Sequence, residues 1–82
     1  MKRLMGEIIE QAKPVKVSTM TYATHKEFFI ALVSICEDLA IDVPFWTSRE
    51  DRLLEKNQVV LLPLNNHIIL RISSEDLSTT LI

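Results

Sequence analysis

Residues 58–73 carry the clearest pattern in the chain: two apolar, β-rich runs flanking Asn65-Asn66. Asparagine tolerates the left-handed backbone that a two-residue type I′ turn requires at both central positions. That turn predicts Leu64 opposite His67, Leu62 opposite Ile69 and Val60 opposite Arg71. The pair after the turn-flanking pair makes no mutual hydrogen bonds, so the Pro63 nitrogen would point away from its partner strand and could serve no third strand. The strand holding Pro63 is thus expected at an edge and residues 67–73 in the centre. The alternating Val15-Lys16-Val17-Ser18 segment is expected as a strand on the far side, giving the strand order 1-3-2.

Helical patterns fill most of the rest. Residues 1–12 place Met1, Leu4, Met5, Ile8, Ile9 and Ala12 at helical spacing, and Lys13-Pro14 ends the run. Thr24-His25-Lys26-Glu27 fits a capping box, and the helix it opens is expected to reach about Ala40. Phe28, Phe29, Leu32, Val33, Ile35, Cys36, Leu39 and Ala40 cover more than half its circumference, the mark of a helix covered from two sides. Thr47 or Ser48 caps a shorter helix ending near Asn57, with only Leu53 and Leu54 apolar. Residues 74–82 read as a short terminal helix or a frayed end. The sum is an α+β fold: a three-stranded antiparallel sheet, one long buried helix and shorter flanking helices, in one domain over residues 1–82.

The predicted hairpin is greasy on both faces. Val59, Leu61, Ile68, Leu70 and Ile72 would make one face; Val60, Leu62, Leu64 and Ile69 would make most of the other. A small antiparallel sheet commonly wets one face and alternates cleanly. The surplus apolar surface, with Trp46 outside the main stripes, points to a protein–protein interaction or regulatory adaptor domain that self-associates as a twofold dimer. The candidate interface residues are Trp46, Val60, Leu62, Leu64 and Ile69. A competing reading has the terminal segments cover the second face of a plain monomer.

An element order of helix, strand, helix, helix and hairpin resembles a winged-helix DNA-binding fold. That likeness implies a transcriptional regulator with the 48–57 helix in the major groove and Arg49, Arg52 and Lys56 on DNA. The charge pattern speaks against it. Eleven acidic residues outweigh nine basic ones for a net charge of −2, Glu50, Asp51 and Glu55 share the helix, and the hairpin tip has no Arg or Lys.

Composition removes other chemistries. Gly6 is the only glycine, which excludes glycine-rich phosphate loops. Cys36 is the only cysteine, so no disulfide or cysteine-based zinc site forms within the chain. His25 and His67 have no second ligand at helical or turn spacing. The acidic doublets Glu37-Asp38, Glu50-Asp51 and Glu75-Asp76 fall on a solvated face or in first helical turns, where position explains the charge. No catalytic residue, metal ligand or cofactor site is expected. No apolar run reaches membrane-spanning length, and no signal peptide is visible, so the expected location is the cytoplasm.

Overall fold

A computed structural model describes residues 1–65 and 67–77. Strands β1 (Lys2–Glu10) and β2 (Lys13–Tyr22) form a first hairpin, followed by helices α1 (His25–Asp38) and α2 (Ser48–Asn57), then strands β3 (Val59–Pro63) and β4 (Ile68–Asp76). The four strands make one antiparallel sheet in the order β2-β1-β4-β3. This corrects the expectation of three strands in the order 1-3-2. It also removes the winged-helix likeness, whose opening helix is here a central strand.

The segment expected as a helix is β1. Leu4 and Ile8 lie four apart, as do Met5 and Ile9, and four residues fit both a helical stripe and one face of a strand. Gly6 settles the matter. A Cβ placed on it would lie 2.5 Å from Ile35 Cγ2 and 3.3 Å from Leu39 Cδ1, so α1 rests directly on the β1 backbone. The turn to β2 is a two-residue one, with Gln11 and Ala12 at φ 52° and 65°, both in the left-handed region that type I′ requires. Neither residue type advertises such a turn. Beyond it, Ile8 pairs with Lys16 and Ile9 with Pro14, so Val15 is the extra residue of a bulge.

Helix α1 begins as the sequence suggests, with one change. Thr24 Oγ1 accepts from the Glu27 amide at 3.2 Å, but Glu27 reaches back to the Ala23 amide at 2.8 Å. It ends in a Schellman arrangement: Ala40 at φ 59°, its amide on the Glu37 carbonyl and the Ile41 amide on the Cys36 carbonyl. Helix α2 carries a full capping box between Thr47 and Glu50 and stops at Gln58, φ 64°.

Both helices lie on one face of the sheet. That face holds Leu4 and Ile8 of β1, Leu70 and Ile72 of β4 and Val60 of β3 against Phe28, Ala31, Leu32, Ile35, Cys36, Leu39 and Leu54. The outer side of α1 is wet: Phe29, Ile30 and Val33 are exposed on it with Lys26 and Glu37. The long helix is therefore covered from one side, not two. On α2 the two leucines divide, Leu54 inward and Leu53 outward.

The second hairpin is out of register with its prediction by one residue. Leu62 pairs with Leu70 and Pro63 with Ile69. Asn65 is not among the left-handed residues; instead its Oδ1 accepts from the His67 amide at 2.8 Å and the Ile68 amide at 3.0 Å. The register leaves positions 65–67 between the paired residues, three where the two-residue turn predicts two; the Asn66 half of the expected turn lies outside the described residues. Pro63 does sit on an edge strand: among the described residues β3 has β4 as its only sheet neighbour. The proposed terminal helix falls largely outside the described residues. Its first part, through Asp76, is β4 strand.

Candidate interaction surface

A one-residue slip exchanges the faces of a strand, and here it redistributes the candidate interface. Val60 is in the core, and Leu62 is half-buried against it on the helix-covered face. Ile69 is on the opposite face, and Leu64 is exposed beyond the end of β3. Trp46 packs inward: its ring lies 5.3 Å from that of Phe28 and its Nε1 donates to Asp51 Oδ1 at 2.6 Å. The five residues therefore do not converge on one surface.

A different surface takes their place. The face of the sheet away from the helices is uncovered among the described residues. Pairing lays its side chains in rows across the strands. One row runs Pro14, Ile9, Ile69, Pro63 and is wholly apolar. The next runs Val17, Glu7, Arg71, Leu61. Val17 is 59% and Leu61 58% exposed. Between them Arg71 donates to Glu7 at 2.6 Å, with the Glu7 side chain only 18% exposed. The third row runs Thr19, Met5, Ser73, Val59, and in the fourth Arg3 reaches Glu75 at 3.5 Å beside Thr21. The surface is thus a greasy plate whose charges are paired side by side along its midline. Leu61, Val17, Glu7 and Arg71 share a face only once residues 2–10 form a strand and β3 sits one residue from the register that the two-residue turn predicts.

A second feature is a cleft of about 660 Å³ where α2 and the start of α1 meet the end of the sheet. Asp51, Leu54 and Gln58 line it from α2, His25 and Phe28 from α1, with Tyr22 and Ser74 from the strands. Its polar groups serve one another. Tyr22 Oη and Ser74 Oγ are 2.9 Å apart, and Asp51 accepts from Trp46 and lies 3.7 Å from His25 Nε2. No buried side-chain donor or acceptor is orphaned among the described residues. Nor do three metal-binding side chains come together among them.

The remaining candidates are quickly placed. Arg49, Arg52 and Lys56 are all exposed and, at positions i, i+3 and i+7, share one side of α2. His67 is exposed at the hairpin tip. The acidic doublets are structural in part: Glu50 caps α2, Asp51 holds Trp46 and Glu75 meets Arg3. Cys36 is buried, and that burial pushes its thiol above the ordinary range. Phe45 is 94% exposed beside the anchored Trp46. No helix among the described residues is long and apolar enough to cross a membrane. Comparison with known protein families, curated proteins and solved structures finds no match.

Proposed function

We propose that this chain is a small non-catalytic interaction domain that works by self-association, a regulatory adaptor in the cytoplasm, and that its working surface is the uncovered face of the sheet. The observation that carries this is the apolar content of that face. Val17, Leu61 and Ile69 stand exposed on it beside Pro14, Ile9 and Pro63. Full burial of one aliphatic side chain contributes about 1.5–3 kcal/mol, a large share for a chain whose total stability is of the order of ten kcal/mol or less. A lone, buried, protonated thiol suits a reducing compartment.

Sedimentation equilibrium at micromolar concentration tests the reading. The dimer mass is expected, and Leu61→Glu and Val17→Glu should each return the monomer mass without loss of circular dichroism. Leu53→Glu, on the outer side of α2, should leave the mass unchanged. A native chain that stays monomeric would overturn the proposal.

A further inference from the structure

The charge pattern on the uncovered face specifies how two copies meet. On β1, Arg3 is followed by Glu7; on the neighbouring β4, Glu75 lies opposite Arg3 and Arg71 opposite Glu7. Each central strand is therefore the charge complement of the other, row by row. We propose that the face docks onto the same face of a second copy, with the twofold axis parallel to the strands along the β1–β4 seam. This rests on the self-association reading above and adds the geometry of the pair.

Rotation about an axis along that seam reverses the order of strands but keeps each row on itself. Glu7 then faces the partner's Arg71, and Arg3 faces the partner's Glu75. Val17 faces the partner's Leu61, and the Ile9–Ile69 row lies on itself. Facing sheets sit about 10 Å apart and nearly aligned. The ion pairs already formed within each chain become a four-charge cluster, so no charge enters the interface unpaired.

An axis across the strands fares worse. Centred on the Glu7–Arg71 row, it puts Glu7 on Glu7 and Arg71 on Arg71. Centred on the Met5–Ser73 row, it matches the charges but lays Val17 on Thr21. It also leaves Leu61 and Pro63 with no strand beneath them, because β3 starts at Val59. Only the axis along the seam satisfies the charges and the outer strands together. Four strands at about 4.8 Å spacing and seven residues at about 3.4 Å rise give a footprint of roughly 19 by 24 Å. That is the small end of specific interfaces.

Charge reversal tests the pairing. Glu7→Arg places two positive charges at the centre of the face, and Arg71→Glu places two negative ones. Each variant alone should self-associate on the order of a hundredfold more weakly, because like charges then face each other across the interface. Mixed in equal amounts, the two should recover a heterodimer by sedimentation, with unchanged circular dichroism throughout. Cross-linking then fixes the axis and needs no charge change. Full-length Val17→Cys and Leu61→Cys chains, joined by a short thiol cross-linker, should form the mixed dimer. Cross-linking of Val17→Cys to Thr21→Cys in its place would overturn the axis. A native dimer whose charge variants stay dimeric alone, or stay monomeric when mixed, would overturn the pairing while leaving self-association intact. A monomeric native chain would overturn both.

Discussion

Replacing Gly6 with alanine is the smallest change that probes how this fold is held together. Gly6 lies in the middle of β1 with a negative φ, so alanine can adopt its backbone. The added methyl would sit 2.5 Å from Ile35 Cγ2, 3.3 Å from Leu39 Cδ1 and 3.5 Å from Ile72 Cδ1. Optimal carbon–carbon contact is about 3.5–4.0 Å, so Ile35 must retreat by roughly 1 Å. It cannot do so alone: it is fully buried, and a β-branched side chain in a helix has one strongly preferred rotamer. Relief requires α1 to lift from β1, which opens the contacts around Leu4, Ile8 and Leu39. Overpacking of this kind costs about 1–3 kcal/mol. Alanine returns about 0.4–1 kcal/mol by restricting the unfolded chain. A net loss of about 1–2 kcal/mol remains, which lowers Tm by roughly 5–15 °C for a chain of this size. Trp46, the only tryptophan, provides a fluorescence signal for thermal and urea unfolding. The cause is isolated by a second substitution. In an Ile35→Ala background the clashing atom is gone, and Gly6→Ala should become neutral or stabilising. In Ile35→Val, which keeps that methyl, it should still destabilise. An unchanged Tm for Gly6→Ala, or additive effects with Ile35→Ala, would refute the close-approach account.

Four further tests bear on other parts of the chain. The left-handed turn residues make Gln11→Asn with Ala12→Gly stabilising by about 1–2 kcal/mol, whereas Asn65→Gly should destabilise by about 1 kcal/mol because two backbone amides lose their acceptor; urea midpoints decide both, and a gain at Asn65→Gly would restore the two-residue turn. Hydrogen bonds from the Thr47 side chain and backbone hold the Glu50 carboxyl below its ordinary pKa. It therefore contributes stability above about pH 4.3 that is lost as pH falls through its lowered value, and melts across that range should be flatter for Glu50→Gln than for the native chain. Cys36 should react with a thiol reagent only as fast as the protein opens, because burial keeps it protonated; rapid stoichiometric labelling of the folded chain would overturn that and expose a reactive thiol.

Local chemistry was legible wherever a side chain writes its own signal. Both helices begin at threonine caps that the sequence displays, and α1 ends near Ala40 as its pattern indicates. Cys36 is buried as its place on the apolar arc suggests. The first hairpin was not legible, for two reasons. Its turn is made from Gln11-Ala12, residues with no preference for the left-handed region. Its inner strand spaces Leu4, Met5, Ile8 and Ile9 so that a helix and a strand explain them equally. Only α1, lying across Gly6, distinguishes the two, and that contact joins residues nearly thirty positions apart in sequence.

The candidate surface depended on that same long-range information. Asn65-Asn66 carries a strong two-residue turn signal, yet the Asn65 carboxamide accepts two backbone amides and spends an extra residue doing so. With residues apolar on both sides of the hairpin, neither register is penalised locally. What β1 selects is which face of β4 is buried. Its pairing with β4 puts Glu7 beside Arg71 and Leu4 and Ile8 on the face of Leu70 and Ile72. Shifting β4 by one residue relative to β1 would carry Arg71 into the core with no acid to meet it, a cost of several kcal/mol. The Glu7–Arg71 pair therefore fixes the register within the chain. In the proposed dimer the same two charges select the twofold axis, so one pair of residues would determine both which face of the sheet is exposed and how that face recognises its copy.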